Sequence, residues 1–230
     1  MNSEKPKSNP LLEIIFNVAL PSWLLMKFSG PEYLGVVLGL IVALSFPLGY
    51  AIYDYVRTKE TNLISVFGFF SVLLTGGIAL FELSVEWLAI KEASIPGLIA
   101  VFVVFSGIYG KPLIAKILLN ESIINVNKVY NKLNELGKTN EFVSRMAFAN
   151  QLLALTFVFS SIMNYLLAKW LVKSPAGTVM FNEELGHMTL MSYPVIAIPS
   201  MIMLAGLLIY VTKVIKELTG YKFTELMIQQ

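Results

Sequence analysis

The stretch that decides the fold is residues 73–100, LLTGGIALFELSVEWLAIKEASIPGLIA. One apolar run ends at Gly76-Gly77, and another begins at Pro96-Gly97. Between them lies an acidic-aromatic turn, which comprises Glu82, Glu86, Trp87, Lys91 and Glu92. A short charged segment between two long apolar runs is typical of a loop that joins two membrane spans. The stretch therefore predicts a polytopic membrane protein.

The composition of the whole chain agrees with this prediction. Of 230 residues, 56% are hydrophobic and 14% are charged, whereas soluble domains carry about 25% charged residues. Most of the surface is therefore expected to face the lipid bilayer. The net charge of +2 is too small to indicate a nucleic-acid partner. Cysteine is absent, which excludes disulfides, thiolate metal sites and a cysteine nucleophile.

Apolar runs of about the 20 residues that a bilayer core requires recur along the chain. We predict an all-α polytopic membrane bundle of about six transmembrane helices, forming a single transmembrane bundle over residues 11–218. The predicted spans are residues 11–28, 33–55, 62–81, 95–119, 142–170 and 190–214. The polar residues 1–10 are predicted to form a disordered cytoplasmic tail, and residues 219–230 a second cytoplasmic tail.

Residues 121–141 form the only extended polar region. Its apolar residues fall mostly on one helical face, with Asn and Lys on the opposite face. These are Ile123, Ile124, Val126, Val129, Tyr130 and Leu133. The pattern predicts an amphipathic helix that lies along the inner membrane surface. A soluble connecting helix explains it equally well.

The distribution of the 17 basic residues predicts the orientation in the membrane. Thirteen fall in the two termini, the second-to-third connection and the fourth-to-fifth connection, and four fall on the other side. The thirteen are Lys5, Lys7, Arg57, Lys59, Lys111, Lys116, Lys128, Lys132, Lys138, Arg145, Lys213, Lys216 and Lys222. The positive-inside rule then places both termini in the cytoplasm. Trp23, Trp87 and Trp170 all fall at the opposite, outer edge, as interfacial anchors do.

Several residues predict interruptions of the helices. The first span carries Pro21, and we interpret it as a retained, kinked helix rather than a cleaved signal peptide because the run is long and interrupted. Gly76-Gly77 in the third span allows either close helix packing or a local break. Pro194 and Pro199 are expected to break the sixth span.

Two predicted outer loops carry the densest polar clusters. In the acidic-aromatic turn, Glu82 and Glu86 would share a helix face at i, i+4 spacing. Such paired carboxylates either hold a cation or share a proton, or they are simply solvated, with Lys91 as a counter-ion. The second outer loop, residues 173–188 with Trp170 at its edge, has a similar composition, and Asn182 is a candidate helix cap there. Its residues are Trp170, Lys173, Asn182, Glu183, Glu184 and His187. We hypothesise that the two loops meet as one acidic-aromatic mouth.

Polar residues within the predicted spans are energetically costly and are expected to face the bundle interior. They are Glu13, Asn17, Asn150, Gln151 and Asn164. Glu13, Asn17 and Pro21 fall on one stripe of the first helix, which is able to line a polar path. A transporter predicts that Asn17, Asn150 and Asn164 converge on a water-accessible cavity. A scaffold predicts that they satisfy each other in a dry core.

No motif indicates soluble enzyme chemistry. The single histidine, His187, cannot build a multi-histidine metal site, and a histidine beside a loop is more often a surface or packing residue than a ligand. The glycines before Lys111 are too close together for a phosphate-binding loop. No serine, histidine and acid cluster indicates a catalytic triad. We therefore predict no catalytic residue, no metal and no cofactor, and we do not expect an enzyme.

The acidic-aromatic turn also carries a resemblance to a known family. The matching pattern is Gly76-Gly77, Leu80-Phe81, an acidic turn, Trp87, Lys91-Glu92 and Pro96, with Gly110-Lys111-Pro112-Leu113-Ile114 further along. This pattern resembles bacterial intracellular septation protein A, an inner-membrane family. Over nearly its full length, the chain is similar to uncharacterised bacterial six-span inner-membrane proteins related to that family. The longer polar region at residues 121–141 and the extended acidic turn depart from septation protein A.

The resemblance implies a multi-pass protein of the bacterial inner membrane with a link to envelope processes, and it supplies no substrate. A small-solute or ion transporter or channel is narrowly favoured, because interrupted helices and buried amides suit a site at the membrane midplane. The alternative is a non-transporting, septation-protein-A-like envelope or cell-division protein that acts by binding partners. The sequence leaves open a homo-oligomer or an envelope-protein partner.

Overall fold

The computed structural model describes residues 14–58, 63–120 and 124–227, with the backbone alone at residues 54, 57, 58, 63–69 and 72. The helices are α1 (Ile15–Phe28), α2 (Gly35–Thr58), α3 (Leu63–Leu80), α4 (Val85–Ile108), α5 (Leu113–Leu118), α6 (Val126–Glu135), α7 (Thr139–Leu171), α8 (Val179–Ser192) and α9 (Ile198–Thr219). The described residues are 83% helix, and they form no strand beyond one isolated bridge between Ile124 and Met227. The prediction of an all-helical fold is confirmed.

Four helical segments of the described chain are long and apolar enough to cross a membrane. They are Gly35–Tyr53, Val85–Ile108, Thr139–Leu171 and the 41-residue segment Val179–Thr219, which contains α8 and α9. These segments indicate a membrane-embedded protein. Helix α1 is apolar but shorter, and α3 has 18 residues without a charged side chain. The count of six spans stays a prediction.

The chain forms two compact units. Unit 1 comprises Met1–Ile95 and Ile162–Ile196, and unit 2 comprises Pro96–Ser161 and Ala197–Gln230. In unit 1, α1 packs against α8 and α2, and α2 packs against α3. The core of unit 1 includes Leu40, Leu88 and Phe181, all of them buried. This packing of α1, α2 and α8 positions the site described below.

In unit 2, α9 packs against α6 and against a short 3₁₀ turn, Phe223–Glu225. The core there includes Val129, Leu133, Phe142 and Ile215, each no more than 1% exposed. Val129 and Leu133 of α6 are thus covered by their own unit, whereas Tyr130 of the same face is exposed. The two interpretations of residues 121–141, a surface helix and a connecting helix, both stay predictions.

The boundaries of α6 also correct the predicted helix at residues 121–141. The helix spans only Val126–Glu135, where Asn125 caps it by accepting a hydrogen bond from the backbone N–H of Lys128 at 3.0 Å. Gly137 then adopts a φ of +64°, a left-handed conformation that ends the helix before α7 begins at Thr139. Residues 121–123 lie outside the described part of the chain.

The fourth span is wrong at both ends, because α4 covers Val85–Ile108 rather than residues 95–119. Leu88 and Ala89, within the predicted turn, are fully buried and continue the helix toward its N-terminus. Pro96 lies inside the helix and does not open it. At the other end, Gly110 has a φ of +68° and Pro112 follows it, so the chain leaves α4 before α5 begins.

The second outer loop is shorter than predicted, because α8 begins at Val179 and most of residues 173–188 are helical. Thr178 caps α8 by accepting a hydrogen bond from the backbone N–H of Phe181 at 3.2 Å. Phe181, Leu185 and Met188 are buried at helical spacing, which is the signal that the polar composition concealed. The predicted cap residue, Asn182, lies inside the helix.

The predicted interruptions take two forms. A single π-helical turn, Ile15–Ala19, precedes Pro21. A second π-helical turn, Tyr193–Ala197, contains Pro194 and precedes Pro199. The helix continues through both turns. At Gly76-Gly77, α3 is unbroken. A Cβ atom on Gly76 would meet Leu44 Cδ1 at 3.1 Å, so this pair serves close helix packing.

Candidate functional site

A cavity of about 220 Å³ lies in unit 1, and all of its lining residues belong to that unit. Its wall mixes leucine side chains with an unusual number of polar groups for apolar helices. The polar members are Asn17, Ser22, Ser71, Thr75, Lys91, Glu92, Asn164, Thr189 and Ser192. Helices α1, α3, α4, α7 and α8 each contribute at least one of them. Pockets for drug-sized ligands measure roughly 300–1,000 Å³, so this cavity suits a smaller solute.

Two opposite charges meet in the cavity wall. Lys91 Nζ lies 2.6 Å from Glu92 Oε1, and the two side chains are 9% and 23% exposed. Lys91 Nζ also donates a hydrogen bond to Thr75 Oγ1 at 2.7 Å. Thr75 in turn donates to the backbone carbonyl of Ser71, which leaves its lone pairs directed to the ammonium. Charged side chains in a helix able to span the membrane are by default candidates for function.

The packing of α1 against α8 places Ser22 in the cavity wall. A Cβ atom on Gly186 of α8 would lie 2.8 Å from the backbone carbonyl of Ser22 and 2.9 Å from Met26 Cγ. Only glycine fits such a close approach. Ser22 is fully buried, and its hydroxyl has no hydrogen-bond partner among the described residues. An unsatisfied buried hydroxyl is costly, and a ligand in the cavity is one group that would satisfy it.

Irregular helix geometry adjoins the cavity on two sides. Asn17 lies within the π turn Ile15–Ala19, and Ser192 directly precedes the π turn Tyr193–Ala197. Such single π turns are frequent at functional sites.

The intramembrane polar residues of the sequence divide into separate groups. Asn17 and Asn164 both line the cavity. Gln151 is exposed on α7. Glu13 lies outside the described residues, so its predicted stripe with Asn17 and Pro21 stays a prediction. Asn17 and Pro21 do share the cavity wall.

Asn150 has a different role in unit 2. It is 1% exposed, and its Oδ1 accepts a hydrogen bond from the backbone N–H of Ile114 at 3.2 Å. Its Nδ2 donates to the carbonyl of Val103 at 2.7 Å and to Ser106 Oγ at 3.3 Å. These bonds tie α7 to the end of α4 and the first turn of α5. Asn150 is therefore a satisfied packing residue. It does not line the cavity with Asn17 and Asn164, contrary to the transporter hypothesis. Its hydrogen bonds to Ile114, Val103 and Ser106 also differ from the bonds to the other two asparagines that the scaffold hypothesis predicts.

The acidic-aromatic turn does not stay together as predicted. Glu82 lies before α4 with a φ of +53°, so it does not share a helix face with Glu86. Glu86 Oε1 accepts a hydrogen bond from Lys169 Nζ at 2.9 Å, both side chains being well exposed. Trp87 is 58% exposed. Lys91 and Glu92 lie in the cavity wall instead, one helical turn further along α4.

The two predicted outer segments approach each other within unit 1. A Cβ atom on Gly177 would meet Glu82 Oε1 at 2.9 Å, which places the Glu82 side chain against the loop before α8. Glu184 Oε2 accepts hydrogen bonds from the backbone N–H groups of Lys173 and Ser174, each at 2.8 Å. These contacts give the loop its shape.

The remaining members of the second outer loop have structural or surface positions. Asn182 is fully buried, and its Nδ2 donates to Ser29 Oγ at 3.0 Å and to the carbonyl of Val36 at 2.9 Å. Asn182 thereby ties α8 to the α1–α2 connection. His187 and Trp170 are exposed, and Glu183 is half-buried. In the described part of the chain, no group of three or more His, Asp or Glu side chains is placed to hold a metal ion.

Sequence reasoning placed Lys91 and Glu92 in an outer turn and did not single out Ser22, Thr75 or Thr189. The signal that was available is the spacing of Leu88 and Glu92, which puts a carboxylate one turn beyond a buried leucine of the same helix.

Comparisons with protein-family models, with curated proteins and with solved structures found no match. The resemblance to septation protein A stays a prediction.

Proposed function

We propose that this protein binds a small polar solute or ion in the unit 1 cavity and carries it across the membrane. The observation that carries the proposal is the Lys91–Glu92 pair in the wall of a cavity of about 220 Å³. That wall is built from helices of which several are able to span a bilayer. Burying two charges in an apolar protein costs several kcal/mol per ion before their attraction is counted.

Three features support binding over a purely structural role for the pair. The cavity beside the charges has room for a small ligand, whereas other side chains normally pack against an ion pair that has only a structural role. Ser22 offers a buried hydroxyl that no described residue bonds. Two π turns give the surrounding helices α1 and α8 the irregular backbone that transporters use at their midplane sites.

The test is ligand-dependent thermal stabilisation of the purified full chain, followed by uptake into proteoliposomes. A ligand that binds only the folded state stabilises it by about 2.7 kcal/mol at 100 times its dissociation constant. We expect a saturable stabilisation by some members of a broad panel of ions and metabolites, abolished by Asn17→Leu, and uptake of the same solute. Lys132→Met, which removes an exposed ion pair with Glu135 in unit 2, is the matched control.

The result that would overturn the proposal is uptake at the rate of empty liposomes for every solute that binds. In that case the envelope or cell-division class, a protein acting through partners, would become the better assignment. Loss of stability in Asn17→Leu without any ligand response in the parent chain would point the same way.

A further inference from the structure

The charges and hydrogen-bonding groups of the cavity specify a chemical class of ligand, and this inference rests on the function proposed above. We infer that the cavity binds a small zwitterionic solute of the amino-acid type, with its carboxylate toward Lys91 and its ammonium toward Glu92. The charge balance, the unused hydrogen-bonding groups and the size of the cavity lead to this assignment.

The cavity wall is electrically neutral. Lys91 and Glu92 are its only charged lining residues among those described, one of each sign, 2.6 Å apart. A lone cation or anion would give this buried site an uncompensated charge, which is expensive in a low-dielectric environment. A zwitterion adds no net charge and offers each wall charge a partner of opposite sign.

Both wall charges have capacity left for a ligand. An ammonium carries three donors, and within the described chain Lys91 uses two of them, toward Thr75 and Glu92. Among the described residues, Glu92 accepts from Lys91 through Oε1 alone, so its second carboxylate oxygen can accept from a ligand. A solute can therefore bind both charges without breaking the bond between them.

Uncharged groups complete the recognition of a carboxylate. The buried Ser22 hydroxyl has no partner within the part of the chain that the structure describes, and it can donate to an anionic oxygen. Asn17 lines the same cavity and carries two amide donors. A neutral solute such as an alcohol would satisfy Ser22 but would leave the two charges without further partners. The apolar part of the wall, including Leu25, Leu44 and Met188, suits a small aliphatic side chain.

The experiment measures thermal stabilisation of the full chain in detergent by zwitterionic, singly charged and neutral probes. The zwitterionic probes are glycine, L-alanine and L-serine. Acetate carries only a carboxylate, methylammonium carries only an ammonium group, and glycerol is uncharged. We expect saturable stabilisation by at least one amino acid and none by the other probes. Stabilisation by acetate, methylammonium or glycerol equal to that by the amino acids would overturn the inference, as would no response to any amino acid.

Two variants make the charge assignment specific. Removing one partner of a buried charge pair costs 2–5 kcal/mol of binding free energy, so Lys91→Met and Glu92→Gln should each weaken amino-acid binding by about 30-fold or more. Glu92→Gln leaves an unpaired Lys91 and should gain acetate binding, whereas Lys91→Met should gain methylammonium binding. Lys132→Met should change neither preference. Unchanged amino-acid binding in both cavity variants would refute the assignment.

The double variant Lys91→Met/Glu92→Gln covers the case in which a single variant does not fold, since it leaves no buried charge unpaired. It should elute from gel filtration like the parent and bind no amino acid, and retained binding would overturn the inference. Proteoliposome uptake separates the two proposals. Amino-acid binding without uptake contradicts transport alone, and uptake of a solute that carries one charge contradicts the zwitterion assignment alone.

Discussion

Asn17 in unit 1 and Asn150 in unit 2 carry the same side chain in helices of similar composition, but their surroundings differ. Asn150 is 1% exposed and makes three hydrogen bonds, to Ile114, Val103 and Ser106. Asn17 lies in a π turn and lines a cavity that also holds Lys91 and Glu92. An amide in an apolar helix thus marks either packing or binding, and the neighbouring groups decide which.

The largest effect should come from Asn150→Leu. This change removes the bonds of Asn150 and leaves the buried N–H of Ile114 without its acceptor, at about 1–3 kcal/mol. The carbonyl of Val103 still accepts from Ser106 Oγ. We expect a loss of about 3 kcal/mol in the free energy of unfolding, measured by denaturant titration in detergent, with ligand affinity of the folded fraction unchanged. Gln151→Leu, at an exposed position of the same helix, is the control. A small loss in the free energy of unfolding, or a change in ligand affinity, would contradict the assignment of Asn150 to packing alone.

Gly186→Ala should affect both stability and the cavity. The added Cβ would lie 2.8 Å from the backbone carbonyl of Ser22, so α1 and α8 must separate. Overpacking of this kind costs about 1–3 kcal/mol, and it should weaken ligand stabilisation because Ser22 moves. Gly206→Ala meets no atom within 4 Å and should stabilise α9 by up to about 1 kcal/mol. Equal melting temperatures for the two variants would contradict the close packing of α1 and α8.

Thr178→Ala separates the stability of a cavity-lining helix from its binding function. Thr178 caps α8 through its hydroxyl, and the loss of such a cap costs about 1 kcal/mol. We expect the melting temperature to fall while ligand affinity stays the same, and Thr178→Ser to restore the parent value. A loss of affinity in Thr178→Ala would show that α8 is not a rigid part of the site.

The smallest effect should come from the exposed pair Glu86 and Lys169. Surface ion pairs of this kind contribute little, so Lys169→Met should leave both the melting temperature and ligand affinity unchanged within error. A clear loss of affinity would move the site from the cavity to the predicted acidic-aromatic mouth.

The existence of the helices follows from the sequence because long apolar runs leave few alternatives. The residues at which the helices begin and end do not follow from it. The predicted turn at residues 82–92 is largely helix because Leu88 and Ala89 are buried against other helices of unit 1, a tertiary effect that a charged segment conceals. The region of residues 173–188 is helical for the same reason, with Phe181 and Leu185 in the core.

The candidate site was only partly predictable. Asn17 and Asn164 were singled out because amides are costly in apolar helices, and both line the cavity. Lys91 and Glu92 were assigned to a solvated turn, since their position on α4 depends on where that helix begins. Ser22 gave no signal at all, because its burial results from the close approach of Gly186 on a helix more than 150 residues away in the chain.

The central claim is that the unit 1 cavity receives solute from water, and thiol accessibility tests it most directly. The chain has no cysteine, so a single introduced cysteine reports on one position. We expect Asn17→Cys, in the cavity wall, to react with a small, charged methanethiosulfonate reagent in proteoliposomes. Ala149→Cys, at a fully buried position of unit 2, should stay unmodified. Reaction of Asn17→Cys as slow as that of Ala149→Cys would contradict the account.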